Sequence, residues 1–183
     1  MKKIYAVYCI VKLTKQPDWL NDFRKKYDEA YDFHITLKQA AYIDDSQIDD
    51  IRKILDRIVA NFLKEKNDIE MVFDNLLLDE AEGYIYLFAN SNKMLDNLQR
   101  KIRYSLKRYS EYSNPKSIKY EYDFEPHITI ARDLSKERFA EAKVAMGQDY
   151  MCEGRVAEIV LSCVKEINVE EANSPENLTN YKI

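Results

Sequence analysis

The sequence predicts an α+β fold built of two antiparallel lobes, and three observations carry that prediction. Short β-branched and aromatic runs alternate along the chain with longer stretches whose apolar residues recur at helical spacing. A helix-then-strand unit ending in the same tetrapeptide pattern occurs twice, as His34-Ile35-Thr36-Leu37 and His127-Ile128-Thr129-Ile130, which points to an internal duplication. No linker, low-complexity tract or long charge block divides the 183 residues, and 46% of them are hydrophobic. That is enough to fill one core, so a single domain over residues 1–183 is expected, with one motif (34–37 and 127–130) in each lobe.

The elements follow in order. Residues 4–11 form an unbroken apolar, β-branched and aromatic run and read as a buried strand. Pro17 opens a helical stretch to about Tyr31, with Trp19, Leu20, Phe23 and Tyr27 on one face. Residues 33–37 are the first motif strand, because Ile and Thr fit a pleated surface. Asp44 or Ser46 is placed to cap a helix through about Leu63 that carries Ile48, Ile51, Leu55, Ile58, Val59 and Phe62 inward. Residues 69–78 and 84–89 read as a hairpin turning at Asp79-Glu80-Ala81-Glu82-Gly83. Ser91 caps the next helix, to about Tyr109, with Met94, Leu95, Leu98, Ile102 and Leu106 inward. A loop containing Pro115 leads through the tyrosine-rich stretch 118–124 into the second motif strand at 126–130. Ser135 starts a short helix to about Met146, and residues 156–164 and 177–183 are the last two strands.

His34 and His127 are the only histidines of the chain. On a strand, His and Thr at i and i+2 point to the same face, roughly 7 Å apart, while the intervening Ile points into the core. Two such strands facing one another bring two imidazoles and two hydroxyls around a phosphate-sized volume. An unperturbed imidazole titrates near pH ~6.5, so one of a pair can be the neutral base and the other the charged acid. Threonine hydroxyls donate to non-bridging phosphate oxygens without adding a titrating group. A single His-x-Thr is more often a hydrogen-bonded structural residue. Two copies that use up every histidine of the chain reverse that balance.

These motifs resemble those of the 2H phosphoesterases, named for two His-x-Thr/Ser-apolar motifs and including 2′-5′ RNA ligase-like proteins and 2′,3′-cyclic phosphodiesterases. The matching segments are His34-Ile35-Thr36-Leu37-Lys38 and Pro126-His127-Ile128-Thr129-Ile130-Ala131-Arg132. The opening strand, the order of elements and the separation of the histidines extend the likeness over nearly the whole chain. Gln39-Ala40-Ala41 depart from the pattern, standing where an apolar pair and a Gly usually follow.

The resemblance implies that the two sheets, with their outer helices, face across a central cleft. It implies a metal-independent phosphodiesterase that hydrolyses, or reversibly ligates, a 2′,3′-cyclic phosphate or 2′-5′ phosphodiester of RNA or a small nucleotide. In that scheme His127 is the base and His34 the acid, Thr36 and Thr129 hold the non-bridging oxygens, and the roles exchange in ligation. Lys38 and Arg132 are candidate substrate-binding residues. Lys38 shares the face of His34 and Thr36 if the strand continues, and Arg132 reaches the phosphate if its strand ends near Ala131. Two alternatives stay open. One is a nuclease that degrades cyclic or linear signalling oligonucleotides, as in immune evasion. The other is a non-catalytic module that binds RNA ends or nucleotides.

Composition excludes other classes. Three scattered cysteines suggest neither a disulfide framework nor a zinc site, and no carboxylate or cysteine ligand stands at fixed spacing beside either His, so no metal is expected. With three glycines there is no P-loop or dinucleotide fingerprint, and no cofactor is expected. No apolar run approaches a membrane span and the N-terminus lacks a signal-peptide pattern, so the expectation is a cytoplasmic monomer without membrane contact. Net charge is −4, unfavourable for nonspecific duplex binding. Residues 100–122, however, interleave Arg100, Lys101, Arg103, Lys107, Arg108, Lys116 and Lys119 with Tyr104, Tyr109, Tyr112, Tyr120 and Tyr122. That stretch reads equally as a wall guiding an RNA end, cyclic nucleotide or short oligonucleotide and as a solvated helix face followed by a tyrosine-rich strand.

Overall fold

The computed structural model describes residues 2–28, 30–65 and 68–183. β1 (Lys2–Lys15) sets the layering by strict alternation. Tyr5, Val7, Cys9 and Val11 are buried, whereas Ile4, Tyr8 and Ile10 turn to the opposite, partly open face. α1 (Trp19–Tyr27) buries Leu20, Phe23 and Tyr27, and β2 (His34–Asp44) buries Ile35 and Leu37 while leaving His34 and Thr36 half-exposed. A 3₁₀ turn over Asp45–Gln47 follows Asp44, whose N–H is met by the Gln47 side chain at 3.2 Å. It opens α2 (Ile48–Lys64), which buries Ile48, Ile51, Leu55, Val59 and Phe62 at helical spacing.

β3 (Glu70–Asp79) and β4 (Tyr84–Ala89) make the expected hairpin. Gly83 closes its turn at φ +76, and a Cβ there would lie 2.5 Å from the Leu134 carbonyl oxygen. α3 (Lys93–Ser105) is capped by Asn92, whose Oδ1 accepts from the Met94 and Leu95 N–H groups at 3.0 and 3.2 Å. The cap is thus one residue later than Ser91. The helix also ends earlier than Tyr109, which sits in a 3₁₀ turn. The remaining elements are β5 (Glu111–Tyr112), α4 (Ser117–Tyr122), β6 (His127–Ala131), α5 (Lys136–Ala145), β7 (Cys152–Val164), α6 (Val169–Asn173) and β8 (Leu178–Lys182). No helix among the described residues is long and apolar enough to cross a membrane.

Two expected elements differ. α1 stops at Tyr27 because Asp28 leaves helical geometry (φ −159) and turns its carboxylate inward between two arginines. Glu29, inside the stretch expected to be helical, lies outside the described residues. The stretch 118–124, expected to run extended into the motif strand, instead carries α4. Its tyrosines favour strand, but the segment turns as a helix whose one buried face carries Ser117 and Glu121, four residues apart, with Glu121 meeting Lys38 and the Gln39 N–H.

The strands form one antiparallel sheet ordered β5-β2-β1-β7-β3-β4-β6, with β8 also on β7. Cys152 to Arg155 of β7 pair with β3, whereas Glu158 to Ser162 pair with β8, so the sheet divides into two arms along this strand. The order is palindromic. Exchanging β1 with β4, β2 with β6 and β7 with β3 reverses β2-β1-β7-β3-β4-β6 onto itself. The duplicated helix-then-strand pattern of the sequence is therefore a duplicated topology.

The duplication reaches individual residues. Between Val7 and Tyr8 the partner on β2 advances two places, from Lys38 to Thr36. Between Ile85 and Tyr86 the partner on β6 does the same, from Ala131 to Thr129. Each shift is a bulge that puts two consecutive residues on the buried face, Leu37-Lys38 in one arm and Ile130-Ala131 in the other.

Candidate active site

Each motif histidine is the first residue of its strand, and each is held in the same way. His34 Nδ1 lies 2.8 Å from the Asp32 carbonyl oxygen, and His127 Nδ1 lies 2.8 Å from the Glu125 carbonyl oxygen. A carbonyl can only accept, so Nδ1 carries the hydrogen in both rings, and a neutral ring keeps its lone pair on Nε2. Aromatic rings fix the imidazole planes: Tyr8 (centroids 5.1 Å apart) and Tyr31 (6.3 Å) at His34, Tyr86 and Phe88 (both 4.9 Å) at His127. Tyr8 stands opposite Thr36 in the β1–β2 ladder, as Tyr86 stands opposite Thr129 in β4–β6.

Burial dominates the electrostatics and holds both histidines below the ordinary imidazole value. The carbonyl contacts oppose this by favouring the charged ring. The nearby Arg132 charge lowers His34 further and Asp28 counters it, whereas at His127 the neighbouring Glu125 carboxylate raises it. His34 also feels the charge of His127, so the two imidazoles share one electrostatic environment.

Two cavities adjoin at these motifs. The first, about 530 Å³, holds His34, Thr36, Tyr8, Tyr31 and Arg132 against β1, β7 and the C-terminal segment. The second, about 490 Å³, holds His127, Thr129, Tyr84, Tyr86, Phe88 and Gln39. Thr36 belongs to both linings, so the cavities are two halves of one cleft that meets between the motif strands.

Arg132 reaches the cleft as the sequence allowed, because β6 ends at Ala131. Its Nε donates to Asp28, its guanidinium carbon lies 4.3 Å from the Tyr31 ring centroid, and Asp28 also pairs with Arg24 at 3.3 Å. A fully buried carboxylate thus clamps Arg132 beside His34.

Lys38 does not reach the cleft, and this corrects the expectation that it shares the face of His34 and Thr36. The strand does continue, but the bulge at Leu37-Lys38 turns Lys38 inward, where its side chain is 0% exposed. Its ammonium donates to Glu121 (2.8 Å), Ser110 Oγ (2.9 Å) and Tyr112 OH (3.1 Å). Glu121 in turn accepts the Gln39 N–H at 2.9 Å. Burial lowers the Lys38 pKa and the Glu121 carboxylate counters that. Lys38 is a structural cation under the cleft floor.

Sequence reading missed the aromatic partners. The signal was present in Tyr84, Tyr86 and Phe88, which alternate with the buried Ile85 and Leu87. It missed Asp28 and Glu121 because nothing local marks which acid will be buried. Of the basic and tyrosine-rich stretch, Lys116 and Tyr120 line the second cavity, whereas Arg103 covers Tyr122 and Arg108 pairs with Asp50 away from it. Among the described residues no group of three or more His, Cys, Asp or Glu is arranged to hold a metal ion.

The family model of the 2′-5′ RNA ligase superfamily, the 2H phosphoesterases, matches residues 13–163, and the chain belongs to that superfamily. It is 32% identical over 128 residues to a protein of Geobacillus sp. (strain WCH70) provisionally named a phosphoesterase, and equally so to a counterpart from Geobacillus kaustophilus. Each match covers 68% of this chain and 66% of the relative, just under two thirds of its length. In fold, the chain is similar to E. coli LigT crystallised with 3′-AMP, at a TM-score of 0.58 and 13% identity, covering 100% of this chain and 96% of LigT. A crystal structure described as a phosphoesterase superposes at a TM-score of 0.57 and 11% identity, covering 100% of this chain and 96% of the other.

Proposed function

We propose that the protein is a phosphodiesterase that cleaves, or reversibly ligates, a 2′,3′-cyclic phosphate or 2′-5′ linkage of RNA or a small nucleotide by two-histidine acid–base catalysis, with no metal required. The observation that carries this reading is the pair of equivalent imidazoles, each with Nδ1 anchored on a backbone carbonyl and Nε2 without a protein partner among the described residues, in one cleft. One imidazole takes the proton of the attacking oxygen while the other protonates the leaving oxygen, and Thr36 and Thr129 steady the non-bridging oxygens.

Arg132 beside His34 disfavours charge on that ring and Asp28 opposes it, while Glu125 beside His127 favours charge there. As the resemblance implies, His127 acts as the base in hydrolysis and His34 as the acid, with the two exchanging in ligation. Crystallisation of LigT with 3′-AMP fits a nucleotide-sized substrate.

The test is a product screen in excess EDTA with 2′,3′-cyclic mononucleotides, 2′-5′ dinucleotides and cyclic di- and trinucleotides. His34→Ala and His127→Ala should each slow turnover at least ~100-fold with little change in thermal midpoint, as for loss of a general acid or base. Thr36→Ala and Thr129→Ala should cost on the order of 10- to 1,000-fold. A histidine variant with near-full rate, or activity abolished by EDTA and restored by Zn²⁺, would refute the mechanism.

A further inference from the structure

Resting on that acid–base reading, we propose that the scissile phosphate joins two nucleosides, one in each cavity, and that the nucleoside on the His127 side is the end of its chain. The two-sidedness comes from the shared wall at Thr36. A phosphate held between the motif strands has a cavity of about 530 Å³ on one side and about 490 Å³ on the other. Each lies in the size range of small-molecule sites, roughly 300–1,000 Å³. In a 2′,3′-cyclic mononucleotide the leaving oxygen and the only base belong to one ribose, so such a substrate fills one cavity and leaves the other to water.

Both cavities are surfaced for a flat, partly apolar group. The first has Ile4, Ala6 and Ile10 along β1, roofed by Ala172 and Leu178, with Tyr31 beside the histidine. The second has the parallel rings of Tyr84 and Tyr86, 6° apart in plane and 5.7 Å between centroids, with Tyr120 also in its lining. Aromatic faces of this kind stack bases with little regard to sequence.

Charge distinguishes the two ends. The second cavity carries Asp79, Glu82, Asp123 and Glu125, and its lysine, Lys116, is already paired with Glu82 at 2.8 Å. A further phosphate there meets uncompensated acids. The first cavity sets against Asp32 and Glu158 the charge of Lys12 and the one positive charge left over in the Arg24–Asp28–Arg132 group. A polyanionic strand can therefore continue past His34 but not past His127.

The experiment compares kcat/KM of the full chain for a dinucleoside monophosphate, for the two derivatives carrying one extra phosphate at either end, and for the mononucleoside methyl phosphodiesters in which a methyl group replaces either nucleoside. The dinucleoside should exceed each methyl diester by about ten- to a hundred-fold, the scale of one stacked base. One extra phosphate should be tolerated, the other should cost about ten-fold, and Asp123→Asn should narrow that penalty. Ala6→Phe, or Ala172→Phe if the first does not fold, should shrink the preference for the dinucleoside. Equal turnover of the dinucleoside and a methyl diester, or equal loss of both substrates in a filled-cavity variant, overturns the two-nucleoside assignment and leaves the acid–base reading intact. Equal penalties at both ends overturn the chain-end assignment. Turnover of none of them overturns the acid–base reading itself, and the inference with it.

Discussion

Lys38→Met isolates the buried ion pair beneath the cleft. Lys38 and Glu121 have side chains 0% and 1% exposed, and the pair is closed by Ser110, Tyr112 and the Gln39 N–H. Removing the ammonium leaves the Glu121 carboxylate buried with neutral donors alone. Breaking a buried pair in this way costs about 3–5 kcal/mol. For a chain of this length each kcal/mol moves the thermal midpoint by roughly 2–4 °C, so a fall of about 6–20 °C is expected. Lys38→Met combined with Glu121→Gln removes both charges, and the pair should recover at least ~1.5 kcal/mol relative to the sum of the single losses, because no uncompensated ion remains. Denaturant melts of the four proteins give the coupling directly. A single variant that loses under ~1 kcal/mol would refute the buried-pair account. An unchanged midpoint with a raised KM would restore Lys38 to the substrate-binding role it was first assigned.

Three further outcomes are expected. Both histidines titrate below 6.5 in the folded chain, so the unfolded chain takes up protons first and stability falls as pH drops from 6.5 toward the folded values. Each histidine contributes up to ~1.4 kcal/mol per pH unit in that window, and His34→Gln with His127→Gln should flatten the slope between pH 6.5 and 5 relative to wild type; an unaltered slope would contradict the burial of the rings. Gly83→Ala should cost at least ~1–2 kcal/mol, read from urea midpoints, since φ +76 is strained for any side chain and the Cβ meets the Leu134 carbonyl; a neutral result would mean the turn relaxes. Asp28→Asn should cost about 3 kcal/mol by releasing Arg24 and Arg132 together, and a cost no greater than that of Arg24→Gln alone would show that the Arg132 contact carries nothing.

The fold was legible where a short-range pattern dictates it. The alternation in residues 4–11, the helical spacing of Ile51, Leu55, Val59 and Phe62, and the Gly83 turn each determine a local conformation that the core then buries. The two motifs were legible because a strand must present His and Thr on one face. What was not legible depends on partners far along the chain. Lys38 was placed by parity alone, and a one-residue bulge, visible only in the β1 register, inverts parity. Residues 118–124 look like strand by composition, yet the segment is helical and its Glu121 meets Lys38, 83 positions away, a partner that no local pattern marks. That Arg132 lines the first cavity depends on one local question, where β6 ends.

The long β1–β7 ladder also governs the order in which the chain can fold. It joins Ile4 to Val164 and Lys12 to Arg155, so β1 waits for the much later β7 before its second edge is paired. Contacts of such sequence separation pay their loop-closure cost before they are rewarded, which slows folding relative to chains with local pairings. During synthesis β1 and β2 can pair early, but until β7 has emerged their free edge is an open template for other strands. The feature that unites the two arms in the finished molecule is therefore also its point of greatest exposure to aggregation on the ribosome.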